Sequence, residues 1–212
     1  MPETSTSDHD QPAVAKVETN SSGSIRNLKR AQRKALSDDE QQQHSAALCD
    51  TLTKQRDYRN SRRIACYLAN DGEIDPFLLI EHAWLANKNV YLPVLSPVKN
   101  SLYFAPYDIH SEFKLNRFSI AEPICHPSDW IKANQLDLIL LPLVAFDLAG
   151  NRVGMGGGFY DRTLAYLQHR EHWRKTTLLG LAHELQKVDN LHRQSWDIPL
   201  NGLITEENYY PA

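Results

Sequence analysis

Residues 150–163 read GNRVGMGGGFYDRT, with glycine at four of the ten positions from Gly154 to Thr163. Glycines let backbone N–H groups approach phosphate oxygens with no Cβ in the way. A helix that starts just after them adds free N–H groups and the positive end of its dipole. The stretch therefore has the makings of an anion site. It fits no standard fingerprint. No Lys follows the glycines as GxxxxGK[ST] requires, and GxGxxG counted from Gly154 meets Phe159 at its last position. Clustered glycines also make plain flexible loops, and the two readings stand side by side. Asp161 adds a second question. A carboxylate in the first turn of a helix is stabilised by the dipole, but beside a phosphate it repels. A divalent cation between them reconciles the two, since Mg²⁺ is held by one or two carboxylates plus substrate phosphates. On spacing alone, an ordinary N-terminal helix charge accounts for Asp161 equally well.

Other polar residues are weaker signals. Arg26, Arg30 and Arg33 fall at i, i+4, i+7, one stripe of a helix, which reads first as a solvated face. A nucleic-acid contact there lacks interleaved aromatics. Glu73 follows the turn Asn70-Asp71-Gly72 and reads as a polar residue at a turn's end. Asp197 precedes Ile198-Pro199 and could terminate a turn. His169 and His172 are three apart, but no third ligand accompanies them, so an exposed face is expected. His183-Glu184 is not HExxH, because position 187 is Lys. No GxSxG or Cys–His nucleophile pattern is present. Cys49, Cys66 and Cys125 form no CxxC, so neither a disulfide framework nor a cysteine zinc site is suggested. A reducing cytoplasm fits them best.

The elements that must hold the glycine run are legible on both sides of it. LDLILLPLVAFD (136–147) is almost wholly apolar and predicts one strand buried on both faces. The loop would then lie at the carboxyl end of a central strand, where open α/β sheets place ligands. YDRTLAYLQH predicts a helix, with Tyr160, Leu164 and Leu167 at i, i+4, i+7. Further strands are predicted at RIACYLA (63–69), VYLPVL (90–95), LYFAPY, TTLLGLA (176–182) and GLIT (202–205). Pro93 implies that VYLPVL is an edge strand or is interrupted. PFLLIEHAWLAN predicts a helix that Asp75-Pro76 starts as N-cap and first-turn pair. IRNLKRAQRKAL predicts a first helix with Ile25, Leu28, Ala31 or Gln32, and Ala35 on one face. Ser37 to Glu40 reads as a capping box for a second helix running to about Gln55, with Ala47, Leu48 and Leu52 inward.

Strand–helix alternation with short links predicts an α/β fold, Rossmann-like, with a mostly parallel sheet flanked by helices and an N-terminal helical pair. The 212 residues, 42% hydrophobic and 23% charged, suit a globular chain with a sizeable core. Residues 1–24 are poor in large apolar groups and predict a disordered tail, leaving 25–212 as a single catalytic domain. That tail carries the whole net charge of −3, and the remainder balances 22 basic against 22 acidic residues. A neutral body points away from a dedicated nucleic-acid binder. No apolar run approaches the roughly 20 residues of a membrane span. No basic-then-apolar signal pattern opens the chain, which points away from secretion.

With these residues in hand, the chain resembles the 5-formyltetrahydrofolate cyclo-ligase (5,10-methenyltetrahydrofolate synthetase) family. The likeness runs from about Ser24 to Glu206. Its most specific segment is LPLVAFDLAGNRVGMGGGFYDRTL (141–164), supported by YLANDGEID (67–75), VYLPVL (90–95), FSIAEP (118–123) and WDIPLNGLIT (196–205). The resemblance implies a cytoplasmic ligase of one-carbon metabolism that uses ATP as co-substrate and Mg²⁺ as cofactor. It would convert 5-formyltetrahydrofolate, free or polyglutamylated, to 5,10-methenyltetrahydrofolate, releasing ADP and phosphate. The formyl oxygen attacks the γ-phosphate, N10 closes onto the activated carbon, and phosphate leaves. The resemblance also implies Arg26 and Arg152, Val153, Gly154, Met155, Gly156, Gly157, Gly158, Phe159 and Tyr160 as ATP contacts. Leu68, Glu73 and Met155 through Phe159 would contact the folate, and Asp161 and Asp197 would hold Mg²⁺. Arg152, Tyr160 and Asp161 would be catalytic. Where members of the family can have Lys four residues before the first-helix Arg, this chain has Ser22; where some carry a cation inside the loop, Met155 and Gly157 are neutral. Arg152, Arg26 and the metal would then supply more of the phosphate-binding charge, with Arg30 or Lys29 helping. A monomer is expected, with no membrane or nucleic-acid partner. Two other classes stay open: a sugar-phosphate isomerase-like enzyme on a related sheet, and a non-catalytic nucleotide- or nucleic-acid-binding regulator using the Arg stripe.

Overall fold

The computed structural model describes residues 22–169 and 176–212. The expected tail therefore lies outside the described residues up to position 21, as does His172. Helix α1 (Ser22–Lys34) begins three residues before the expected Ile25. Next come α2 (Asp38–Thr53), α3 (Arg56–Asn60), β1 (Arg63–Ala65), α4 (Phe77–Leu85), β2 (Asn89–Leu95) and β3 (Leu102–Tyr107). An arm of two short strands follows, β4 (Phe113–Leu115) and β5 (Ala121–Pro123), and then β6 (Leu138–Pro142). A second small pair, β7 (Ala145–Phe146) and β8 (Arg152–Val153), leads into α5 (Phe159–Leu164). The chain ends with β9 (Thr177–Leu181), β10 (Gly202–Ile204) and β11 (Tyr209–Pro211).

The main sheet has seven strands in the order β11-β10-β9-β6-β1-β2-β3. Its five inner strands run parallel, and β3 and β11 close the two edges antiparallel. This is the expected α/β fold with a mostly parallel sheet. The all-apolar reading of β6 has a direct cause: its side chains alternate between two cores. Leu138 and Leu140 join Leu48, Leu52 and Ile80 on the side of α2 and α4. Ile139 and Leu141 join Phe104, Leu164, Ile198 and Leu200 on the other side.

Several expectations need correction. The run 136–147 is two strands, because the chain leaves the sheet after Pro142. Val144 donates its N–H to Val153 at 2.7 Å, and β7 pairs with β8 instead. Buried Asp147 holds that hairpin's turn, its Oδ1 accepting the N–H groups of Ala149 and Asn151, each at 3.0 Å. The strand directly before the glycines is therefore a hairpin arm, with the central strand one turn earlier. RIACYLA forms only three ladder residues. Strand β2 is internal, and Pro93 is tolerated because β1 has ended beside it. Phe104, opposite Pro93, directs its own N–H and C=O to Ile131, so the missing donor of Pro93 faces away from β3. Pro76 is the N-cap of α4, while the Asp75 carboxylate accepts the Phe77 N–H at 3.0 Å.

The Ser37–Glu40 capping box is present, and Leu48 and Leu52 point inward as expected, with Ala47 half-buried. Of the face assigned to α1, Ile25 alone packs inward, half-buried against Ala145, Val153 and Leu191. Leu28 is 56% exposed, and Ala31, Gln32 and Ala35 are exposed too, whereas Arg33 is 0% exposed. The basic stripe is the packed side of this helix: the 70–73 turn matches the charges of Arg30 and Arg33, while Arg26 reaches the Gly154 carbonyl.

Candidate functional site

The glycine loop joins β8 to α5 and is exposed from Gly154 to Gly157. Gly156 and Gly158 have φ of 92° and 61°, left-handed values that side chains with Cβ resist. Gly158 is also the N-cap of α5. Arg26 reaches the loop from α1, its Nε donating to the Gly154 carbonyl at 2.8 Å. Its guanidinium carbon lies 3.6 Å from where a Cβ on Gly156 would stand. At the far side, the Phe159 ring meets Phe118 edge-on at 5.6 Å, and Arg162 lies 5.3 Å over the Phe159 ring. Thr163 Oγ1 accepts the Leu102 N–H at 2.8 Å, fixing α5 to β3. Phe118 belongs to the β4–β5 arm, and sequence reasoning missed it. Its only signal was its place in FSIAEP.

Arg152 and Asp161 form an ion pair at 2.6 Å, and the Arg152 side chain is only 9% exposed. The other guanidinium nitrogen of Arg152 donates to the Ile198 carbonyl. Arg152 thus ties the start of α5 to the segment that carries Asp197. Asp197 Oδ2 accepts the Gln194 N–H at 2.8 Å, so it does shape a turn, but its neighbour Ile198 is drawn to the same arginine as Asp161. Among the described residues, neither Asp161 nor Asp197 belongs to a three-ligand cluster of His, Cys, Asp and Glu. Their chemistry still fits Mg²⁺, which takes few protein carboxylates and fills its shell with phosphate and water.

Glu73 stands beyond the end of β1, in the turn where Asp71 and Gly72 have φ of 57° and 74°. Its carboxylate accepts the Asn70 N–H at 3.2 Å and lies 3.7 Å from the Arg33 guanidinium. Burial pushes its pKa up to about 7, and the charge of Arg33 only partly opposes this. Glu73 thus closes the turn that its place after Gly72 suggests, and its closeness to Arg33 sets it apart from an exposed turn residue. Its field reaches the half-buried Tyr160, whose hydroxyl pKa is raised first by desolvation and next by Glu73. Leu68, half-buried, sits in the same segment past β1. Because β1 and β6 are parallel neighbours, the 68–73 segment and the glycine loop emerge at the same end of the sheet.

Asp71 is the residue the sequence concealed. It accepts from Arg30 at 2.6 Å and from Arg33 at 2.9 Å, and it pairs with Lys34 as well. Arg30 foremost among them, these cations hold its carboxyl well below the usual carboxylate range. Arg33 also donates to the Leu143 carbonyl at 3.2 Å, and Lys29 donates to that of Leu185. Arg30 and Lys29 are therefore engaged within the fold and do not supply the spare phosphate-binding charge expected of them. The Arg stripe is likewise not a face open to nucleic acid.

An open parallel sheet that gathers a glycine loop, two arginines and a protonatable carboxyl at the carboxyl ends of its strands defines an α/β protein equipped for an anionic ligand. Residues 18–206 match the model of the 5-formyltetrahydrofolate cyclo-ligase family, and the chain belongs to that family. It is 41% identical over 177 residues to the 5-formyltetrahydrofolate cyclo-ligase of Escherichia coli (strain K12), covering 83% of this chain and 95% of the relative. With the enzyme of that name from Haemophilus influenzae it shares 44% over 149 residues, 69% of this chain and 76% of the other. The solved structure of Aquifex aeolicus 5,10-methenyltetrahydrofolate synthetase superposes with a TM-score of 0.75 at 28% identity, over 90% of this chain and 92% of that one.

Proposed function

We propose that this chain converts 5-formyltetrahydrofolate to 5,10-methenyltetrahydrofolate at the expense of ATP, releasing ADP and phosphate. One observation carries the assignment of residues. Arg26 donates to the carbonyl that opens the glycine loop and the Arg152–Asp161 pair joins the residues on either side of it, while Glu73 and Tyr160 lie within each other's field. ATP is read against Arg26 and residues 152–160, and the folate against Leu68, Glu73 and the loop from Met155 to Phe159. Glu73 accepts from pterin N–H groups, since both carboxylate oxygens can accept. The aromatic edge of Phe118 and Phe159 offers a wall for a flat ring. Asp161 and Asp197 hold Mg²⁺, which neutralises triphosphate charge when bound. Arg152 orients Asp161, and the loop keeps the formyl oxygen in line with the γ-phosphate. Positioning and charge neutralisation are most of what phosphoryl transfer asks of a protein.

The same proposal includes a monomer working in the cytoplasm on free or polyglutamylated folate. The three cysteines are free, which supports a reducing compartment, and no helix among the described residues is long and apolar enough to cross a membrane. The test is direct. Purified protein is mixed with ATP, Mg²⁺ and 5-formyltetrahydrofolate, and the near-ultraviolet absorbance of the methenyl product is followed. Product that appears only with all three supports the reading. No product with all three present, or product without ATP, overturns it.

A further inference from the structure

A second cluster of chemistry-bearing side chains lies on different elements. His183 follows β9 directly, Glu206 follows β10, and His44 projects from the middle of α2. The first two thus stand at the carboxyl ends of neighbouring parallel strands, the rim where such sheets place ligands. The Nδ1 atoms of His44 and His183 are 2.9 Å apart, and His44 Nδ1 is 3.4 Å from Glu206 Oε1. One ligand atom from each residue lies within 4.8 Å of the other two. Metal bonds of about 2.0–2.1 Å, at bond angles of roughly 90–110°, put two ligand atoms roughly 2.9–3.4 Å apart. The two measured spacings fall at the ends of that range.

We propose that His44, His183 and Glu206 form a binding site for a divalent d-block cation of the zinc type, which fastens α2 to the rim of β9 and β10. Two imidazole nitrogens and one carboxylate are a zinc-like donor set and a poor one for Mg²⁺, which prefers oxygen alone. The ligands are held in advance. Glu206 Oε2 accepts the Glu184 N–H at 2.9 Å, leaving Oε1 turned to His44, and the backbone N–H of His183 is fixed by Gln186 at 2.9 Å. His183 is 0% exposed and its Nδ1 faces that of His44, so a cation between the two nitrogens is shielded from water. The bridging proton is not lost in the process: His44, 22% exposed, trades its Nδ1 proton for one on Nε2. Arg33 faces the His183 ring, and Asp71 at 2.9 Å matches its charge. The site stands independently of the chemistry at the glycine loop.

The test uses tag-free, full-length protein, stripped by a chelator that is then dialysed away. It is titrated with Co²⁺ at neutral pH without ATP or folate. One equivalent is expected to bind with a visible d–d band and no sulfur-to-cobalt charge-transfer band. Zn²⁺ displaces it, a hundredfold excess of Mg²⁺ does not, and Zn²⁺ raises the melting temperature. His44→Ala and Glu206→Gln are each expected to weaken binding at least about tenfold, the scale on which even a supporting partner matters. Circular dichroism confirms that both remain folded. Absence of saturable binding, a sulfur band, displacement by Mg²⁺, or unchanged affinity in both variants overturns the proposal. Should either variant unfold, crystals of the unaltered protein grown with Zn²⁺ decide. An anomalous peak among the three side chains supports the site, and a map without one overturns it.

Discussion

Asp161 is the residue on which the glycine loop turns. Alone beside phosphate it would repel; in the fold it pairs with Arg152 at 2.6 Å, and the proposed metal role is tested at this one side chain. Asp161→Asn keeps the size and removes the charge. A loss on the order of 10²–10³ in kcat/KM is expected, the usual cost of removing one preorganised electrostatic element, together with a higher Mg²⁺ requirement. Stability should fall by about 1–3 kcal/mol, because Arg152 loses a charge-assisted bond but keeps the Ile198 carbonyl. Rates across a Mg²⁺ series, with a thermal melt of the same sample, check this. Unchanged rate and unchanged Mg²⁺ dependence would reject the metal role. Glu73 offers a pH signature. It ionises at about 7 in the fold and at about 4.3 when unfolded. The folded chain therefore keeps this proton over an interval in which the unfolded chain gives it up. The stabilisation is complete below about pH 4 and is lost as pH rises through about 7. Relative to Glu73→Gln, the wild type should lose up to about 1.4 kcal/mol per pH unit across that interval. Denaturant unfolding at several pH values measures the difference, and a pH-independent gap would refute the raised pKa.

At the scale of elements, α1 is attached through charge as well as through the apolar packing of Ile25 against Ala145, Val153 and Leu191. Arg30, Arg33 and Lys34 converge on one carboxylate in a turn that follows β1. Breaking a buried pair from one side leaves an uncompensated charge. Asp71→Ala should therefore cost about 3–5 kcal/mol, measured by urea unfolding. Arg26 rides on the same helix, so KM for ATP should rise as well. A variant within 1 kcal/mol of wild type, on the scale of a surface pair, would show that α1 is held by something else. The depressed ionisation of Asp71 has the opposite sign from that of Glu73. Its stabilisation is present above the unfolded carboxylate range and is lost as pH falls below about 4.

For the molecule as a whole, the parallel sheet sets the site by bringing strand ends together. The 68–73 segment and the glycine loop are distant in sequence and emerge at one end of the sheet, and Arg152 ties the 197–198 segment to the start of α5. The first 20 residues have few apolar groups and contain all four acidic residues of the −3 segment. Their deletion, with Ser22 and the rest of α1 kept, should leave folding intact and change catalytic efficiency by less than tenfold, about 1.4 kcal/mol. Steady-state kinetics of the truncated protein give the answer, and a larger loss would place the segment in the site.

Sequence by itself determined the layers. The apolar saturation of 138–141 demanded burial on two faces and the Ser37–Glu40 spacing demanded a cap, while the glycines before Tyr160 left an anion loop and a plain flexible loop both open. These features are local, written in neighbouring residues whose conformational preferences need no distant partner. The tertiary structure alone decided which face of α1 is inside. Helical periodicity sees only apolar residues, and the burial of Arg33 depends on Asp71, 38 positions away. The break after Pro142 was hidden for a similar reason, since Leu143 to Phe146 remain apolar whichever sheet they join. The two candidate carboxyls split in the same way. The place of Asp161 at a helix start was legible, while the burial that pushes up the pKa of Glu73 exists only in the folded chain, beside Arg33 of α1.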